Sequence, residues 1–329
     1  MTALKINIHF DFVDGPFGGG NQFLKSLRLE LINLGYYTDN PKTADIVLFN
    51  SFPFAHPIKD LFFLKSILNK GTTLIHRIDG PIFRIRGSQL YIDKFIYKIN
   101  QLFSHGTIFQ SHWSQQANLK QGMKFNIPKT IILNAPDSQT FYYKKTKLSS
   151  PVKIIIASWS SNINKGFETY QWLDTHLDFS KYQVTFVGNS PIDFVNIKRI
   201  QPLDSQHLEK LVHQHHIYLT ASKNDPCSNS LIEALHCGLP AIALNDGGHP
   251  EIVQKKGLLF SRPEEIPKLL DTIVNHYEQY NQPTSLPDIH KVALQYVEFA
   301  TQIQQQKTQR SVTYLQLLHI IFKIITIQR

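Results

Sequence analysis

Short apolar runs alternate with helix-period segments along the whole chain, and the alternation comes in two successive series. In the first, strands are expected at KINIHF (5–10), ADIVLF (44–49), TTLIHRI (72–78), TIFQ (107–110) and TIIL (130–133). Helical patterns lie between them at 21–35, 59–71 and near 89–103. Residues 134–150 are polar, basic and aperiodic, and read as a linker. The second series places strands at 152–158, 182–188, 216–222, 240–244 and 257–260, with helices at 165–177, near 205–214 and at 228–238. From about residue 263 the chain is mainly helical. Such alternation predicts parallel sheets with helices on both faces. The 329 residues suit two domains, 1–140 and 151–300. In open parallel sheets ligands sit beyond the carboxyl ends of the strands, so the chemistry is expected in strand-to-helix loops lining a cleft between facing domains.

Composition narrows the partners. At 42% apolar and 18% charged, the chain is neither disordered nor low in complexity. Two cysteines, Cys227 and Cys237, are too few for a disulfide scaffold and suggest a reducing, cytoplasmic home. The first residues have no secretory pattern, and no stretch of ~18 uncharged apolar residues predicts a membrane span. Lys and Arg number 34 against 25 Asp and Glu, a net charge of +9 that favours polyanionic partners. The charges are scattered and fit no nucleic-acid module, so nucleic acid is not expected.

The most informative segment is SKNDPCSNSLIEALHCGLPAIALNDGGHPEIV (222–253). A strand delivers the chain into a polar loop, Ser228 or Asn229 can cap the following helix, and Gly238 and Pro240 end it. The opened helix N-terminus is a ready phosphate site. Asp225 and Glu233 could bond sugar hydroxyls beside it; equally, acids at a helix start are favoured by the dipole alone. In IIIASWSSNINKGFETY (154–170), Lys165 stands near another helix start, where a cation is poorly placed unless an anion binds there. Three glycines, Gly18, Gly19 and Gly20, follow the first strand and allow close backbone approach, but form neither a G-x-G-x-x-G nor a Walker A motif. His76, Arg77 and Asp79 leave the carboxyl end of the strand at 72–78; an Arg77–Asp79 turn held by its own hydrogen bonds is the alternative reading.

The 222–253 segment resembles the signature of retaining glycosyltransferases with the GT-B fold, the family 4 (group 1) clan. That signature stands here as Asp225-x7-Glu233, then Gly238-Leu-Pro240, then Gly247-Gly248-His249-Pro250-Glu251-Ile-Val253. The resemblance implies two Rossmann-like domains with parallel sheets facing a central cleft. It implies a nucleotide-diphosphate sugar (UDP or GDP) as co-substrate, with Glu233 binding the ribose, Asp225 the donor sugar, and the backbone at Ser228, Asn229 and Ser230 the phosphate. Lys165-Gly166 matches the family's Lys-Gly, but Ser160 replaces its Arg, leaving Arg77 as a further candidate cation. Asp225 is one carbon shorter than the family's Glu, and Pro226 has no amide, so phosphate donors must begin at Cys227 or later. By the same resemblance Gly18, Gly19 and Gly20 approach the donor, Gly188 and Asn189 the base, and His76, Asp79, Ser111 and Trp113 the acceptor side; for Ser111 a helix cap is the default reading.

The implied reaction moves a sugar with retention to a glycan or lipid-linked acceptor, as in surface polysaccharide synthesis, without a cofactor. No metal is expected: His213, His215 and His216 lack a carboxylate or cysteine framework. A sugar-nucleotide epimerase of the same fold and a non-catalytic nucleotide-sugar-binding protein are the alternatives. The last apolar segment, about 305–329, is expected to pack back on the first domain; peripheral contact with an anionic membrane is the second reading.

Overall fold

The computed structural model describes residues 4–15, 17–50, 56–124 and 126–327. Its first half runs β1 (Ile6–His9), α1 (Gly19–Asn33), β2 (Ile46–Asn50), α2 (Pro57–Asn69), β3 (Thr73–Ile78), α3 (Ile82–Arg86), α4 (Leu90–Phe103), β4 (Gly106–Phe109), α5 (His112–Lys120) and β5 (Lys129–Ile131). Then follow β6 (Val152–Ser158), α6 (Phe167–His176), β7 (Tyr182–Gly188), β8 (Lys198–Ile200), α7 (Ser205–Val212), β9 (Ile217–Thr220), α8 (Asn229–His236), β10 (Ala241–Leu244), α9 (His249–Val253) and β11 (Gly257–Phe260). Four α-helices follow among the described residues: α10 (Ile266–Asn275), α11 (Tyr277–Tyr280), α12 (Ile289–Gln306) and α13 (Tyr314–Ile327).

The chain divides into two compact units. The first comprises residues 1–12, 27–133 and 290–329; the second comprises 13–26 and 134–289. The glycine loop, on the first-domain side of the sequence division, therefore groups with the second unit, and the last two helices group with the first.

The first unit holds a five-stranded parallel sheet in the order β1-β2-β3-β4-β5. Its β3 is buried along its whole length, as near-continuous apolar strands of parallel sheets are. Helical spacing builds the rest of the core: Leu61, Leu64 and Leu68 on α2, Phe95, Ile96, Ile99 and Phe103 on α4, and Leu317, Ile320, Ile321 and Ile324 on α13. Buried Asp93 caps α3 from within α4, accepting from the amides of Ile82 (2.7 Å) and Phe83 (3.0 Å). Lys65 of α2 donates to the carbonyl of Val312, fixing the approach to α13.

The second unit has a six-stranded parallel sheet in the order β11-β10-β9-β6-β7-β8. Ile154, Ile156, Val184, Phe186, Ile217, Leu219 and Ile242 fill its interior with Phe167, Tyr170 and Leu173 of α6 and Leu270 and Ile273 of α10. Strand order reverses beside β6: the next strand, β7, lies on one side and β9 on the other. This is the topological switch point where open α/β sheets bind ligands.

The polar segment 134–150 has no helix or strand, yet it is not loose. Ala135 and Phe141 are buried, the Lys144 amide donates to Cys237 O (3.3 Å), and the Thr146 amide donates to Asn281 Oδ1 (3.2 Å). Buried Asn281 also donates to Gly238 O at 2.7 Å, so one asparagine ties the segment to the end of α8.

Candidate functional site

Loops at the carboxyl ends of β6, β7, β9 and β10, together with the glycine loop at Gly18–Gly20, carry the sequence-predicted residues of the second unit. The loop after β6 is a series of tight polar turns. Ser158 Oγ donates to Ser160 O (3.0 Å), Ser160 Oγ accepts from the Asn162 amide (3.1 Å), and Asn162 Oδ1 accepts from the Asn164 amide (2.8 Å). Ser160, where the resembled family has arginine, thus serves the turn. Gly166 adopts φ +85°, and a Cβ there would collide with the Ala221 carbonyl. That close approach, with the Lys223 amide donating to Asn164 O at 2.6 Å, brings Lys165 beside the loop after β9.

Lys165 Nζ lies 2.8 Å from Asp225 Oδ2. The anion demanded by a lysine near a helix start is therefore supplied, at least in part, by the protein's own acid. Burial works against the Asp225 charge, but Lys165, then His249, outweigh it and hold the carboxyl below its ordinary range. The other carboxylate oxygen accepts from the Cys227 amide (3.2 Å), so the residue after Pro226 is engaged by Asp225 itself. The Cys227 amide thus already has an acceptor, which narrows the sequence expectation of donors from Cys227 onward to the residues beyond it.

The loop after β10 holds Asp225 from its backbone side. The Gly248 amide donates to Asp225 O (2.8 Å), and Asp246 Oδ2 accepts from the Asn224 amide (2.6 Å). His249 is fully buried; its Nδ1 lies 3.0 Å from Leu244 O, and its Nε2 has no hydrogen-bond partner among the described residues. Burial lowers its pKa, against the pull of Asp225. Sequence reading passed over His249 although it sits inside the Gly-Gly-x-Pro motif.

At the start of α8, Ser228 occupies the N-cap but makes no side-chain cap bond. The first amide bonded back along the helix is that of Ile232, to Ser228 O. Among the described residues the amides of Asn229, Ser230 and Leu231 have no acceptor, leaving the helix's positive end uncapped by protein. The Ser230 hydroxyl is not part of that opening. It accepts from the buried Tyr218 hydroxyl (2.7 Å) and faces Ala157 O at 3.3 Å, tying α8 to the sheet. Tyr218→Phe should cost ~1 kcal/mol in urea denaturation; an unchanged midpoint would show that the buttress carries no energy.

Asn229 has its own anchor: its Oδ1 accepts from Asn134 Nδ2 (2.9 Å), and its side chain fills the space beside the Gly19 backbone. The loop carrying Gly18, Gly19 and Gly20 thus meets α8, with Gly18 near Trp159 and the Phe17 ring 5.8 Å from that of Trp159. Asn134, buried at the start of the supposed linker, had no sequence signal.

Glu233, just over one turn into α8, has no hydrogen-bond partner for its carboxyl among the described residues, and burial pushes its pKa up to about 7. Gly188 and Asn189 end β7. Gly188 adopts φ +131°, and a Cβ there would strike the Ser158 carbonyl. Asn189 Nδ2 donates to Trp159 O (2.7 Å), so its side chain holds the β6 loop.

The first unit's candidates are engaged internally. His76 is fully buried, stacked on Phe49 at 4.2 Å, 3.3 Å from Asn100, and pushed down to about 3 by burial. These surroundings make it a core histidine and lend nothing to an acceptor role. Arg77, also fully buried, donates to Asn50 Oδ1 (2.7 Å) and Asp79 Oδ1 (3.0 Å), the turn foreseen as the alternative. Asp79 O accepts from Ser114 Oγ and Asn118 Nδ2, while its carboxylate stays partly exposed. Buried Ser111 caps α5, accepting from the Ser114 amide at 2.9 Å.

The three histidines near the end of α7, His213, His215 and His216, each have separate partners. His213 stands 3.0 Å from Glu209, His215 lies between Leu211 O and Thr185, and His216 accepts from the Lys153 amide. No group of three His, Cys, Asp or Glu among the described residues is arranged to hold a metal ion.

Residues 173–279 match the family model described as glycosyl transferases group 1. No curated protein matches the chain. Among solved structures, Anabaena HepE in complex with UDP-glucose aligns with a TM-score of 0.63 at 14% identity, covering 92% of this chain and 97% of that one. Sucrose-phosphate synthase from Thermosynechococcus elongatus aligns at 0.63 and 12% identity over 100% of both chains. The catalytic domain of starch synthase IV from Arabidopsis thaliana, bound to ADP and acarbose, aligns at 0.58 and 12%, covering 88% and 79%. With its two parallel-sheet units the chain has the GT-B fold of these structures, and its similarity to glycosyl transferases group 1 lies over residues 173–279, across the loops after β7, β9 and β10.

Proposed function

We propose that the chain transfers a sugar, with retention, from a UDP- or GDP-sugar to a glycan or lipid-linked acceptor in surface polysaccharide synthesis. The observation that carries this reading is the α8 mouth: three amides without acceptors and a Glu233 carboxyl without a hydrogen-bond partner among the described residues, with the Lys165 ammonium nearby. Amides of Asn229–Ser230–Leu231 and the helix dipole would hold the diphosphate. Ionised Glu233 would accept from the ribose hydroxyls, and Asp225 from the donor sugar. The loops at Gly18, Gly19 and Gly20 and at Gly188 and Asn189 would border the nucleotide through their backbones.

In the proposed reaction the bond between the anomeric carbon and the diphosphate oxygen breaks, leaving the pair of electrons on that oxygen. Lys165 and the α8 amides would stabilise the charge where it develops. The acceptor hydroxyl attacks from the face of departure, and its proton passes to a phosphate oxygen. This scheme assigns no protein nucleophile, cofactor or metal. On the acceptor side Asp79 alone is carried forward, because it keeps an exposed carboxylate edge.

Binding without turnover is the second reading, favoured by Ser160 in the arginine position and by a Lys165 already paired with Asp225. The test is a thermal-shift screen against UDP- and GDP-sugars, followed by product analysis. One ligand at ~100 times its Kd should add ~2.7 kcal/mol of apparent stability, and the anomeric configuration of any product reports retention. Binding without product, under acceptors that serve related enzymes, would support the second reading; binding of neither sugar nucleotide would sink both.

A further inference from the structure

Helix α13 departs from the usual surface helix. Its inward stripe, Leu317, Ile320, Ile321 and Ile324, is buried in the first unit's core, yet its outward stripe is apolar as well. Leu315 is 80% exposed, Leu318 55% and Phe322 67%, at i, i+3 and i+7, beside Tyr314 at 68%. Over residues 314–324 the polar side chains Gln316, His319 and Lys323 form one narrow row. Apolar side chains are exposed on other helices of the same core as well: Ile58 and Phe62 on α2, Phe83 on α3, and Leu90 and Tyr91 on α4. Lys65, one turn after Phe62, sits 4.5 Å from the Tyr314 ring, which joins the α2 and α13 parts of the patch.

Charge on these four helices has one sign. Lys59, Arg84, Arg86, Lys94, Lys98 and Lys323 are exposed, whereas the two acids, Asp60 and Asp93, are buried and bonded to His9 and to the α3 amides. Exposed Leu and Phe on helices whose exposed charges are all cationic suit a partner that is apolar beneath an anionic skin. A second copy of this chain would bring the same cations face to face across a two-fold contact, which is unfavourable. α13 has 14 residues, and no helix among the described residues is long and apolar enough to cross a membrane.

We propose that the outward face of α13, with the exposed cations of α2, α3 and α4, docks the chain on an anionic lipid surface. Leu315, Leu318 and Phe322 enter the acyl–headgroup boundary, and the cations pair with lipid phosphates. The inference is independent of the transfer reaction.

Flotation of the full chain with vesicles of phosphatidylcholine, alone or mixed with phosphatidylglycerol, tests it. Binding should require phosphatidylglycerol and weaken with salt. The triple variant Leu315→Ser, Leu318→Ser, Phe322→Ser should lose at least tenfold in vesicle affinity while keeping the thermal unfolding profile, because none of the three side chains is buried. Lys94→Glu with Lys98→Glu should reduce binding by several-fold per charge while leaving the apolar stripe intact. No binding to either vesicle would overturn the proposal, as would a triple variant that binds like wild type. Concentration-dependent dimers lost in the triple variant, without vesicle binding, would instead make this face a contact between copies.

Discussion

Glu233→Gln should weaken nucleotide-sugar binding roughly a hundredfold while making the protein more stable at pH 8. In the folded chain burial raises the carboxyl from its ordinary value of 4.5 to about 7. An acid whose folded pKa is raised opposes folding once ionised: there is no penalty below pH ~4.5, it grows as pH climbs towards 7, and it is complete above that. The shift corresponds to ~3 kcal/mol. The glutamine variant should therefore gain melting temperature at pH 8 and none near pH 4. Its loss falls on the ligand. A charge-assisted hydrogen bond to each ribose hydroxyl is worth ~1.5–3 kcal/mol, so losing the charge should weaken UDP or GDP binding by roughly a hundredfold. Wild-type affinity should also rise between pH 6 and 8, because bound ribose favours the ionised acid, and this slope should vanish in the variant. Titration calorimetry at three pH values reads both effects; equal affinity in the two proteins would remove Glu233 from the site.

Gly188→Ala should be the most damaging single-methyl change in the second unit. The added carbon would meet the Ser158 carbonyl, and Ser158 is the register partner of Gly188 where β6 and β7 run side by side. Neither strand end can move without breaking the ladder, and the φ of +131° is itself hostile to a side chain. Strain and clash together place the expected loss above ~4 kcal/mol, enough to leave little folded second unit at ambient temperature. Circular dichroism in a urea series checks this. A loss under ~1 kcal/mol would mean that the β7 end relaxes more freely than its pairing implies.

Much of the architecture was legible because buried parallel strands are written as short apolar runs: IIIAS, VTFVG and AIAL announce β6, β7 and β10. β8 escaped notice because Lys198–Ile200 is a three-residue edge strand bearing two exposed cations, and the signal for strands is burial. α8 was readable from its Gly238-x-Pro240 stop, and the open amides at its start follow from the same reading. The bond between Lys165 and Asp225 spans 60 residues and depends on Gly166 nesting against Ala221, a packing relation that no local pattern encodes. His76 and Arg77 looked functional because polar residues in an apolar strand stand out. In the fold His76 meets Asn100 and Arg77 meets Asn50, both distant in the chain, while Asp79 closes on Arg77 the local turn that the sequence already offered. Ser111, by contrast, is the helix cap that its position before α5 announces.

The ion pair between Lys165 and Asp225 bears on selectivity within the proposed reaction. Each charge already has a counterion 2.8 Å away, so free phosphate gains little by displacing the acid: it satisfies the ammonium and strands the carboxylate. A molecule presenting an anionic linkage and a hydroxyl-rich ring together can replace both halves of the pair at once. Discrimination between the intact donor and its spent nucleotide would then originate in the protein's own neutralised charges, before any group on the base is read.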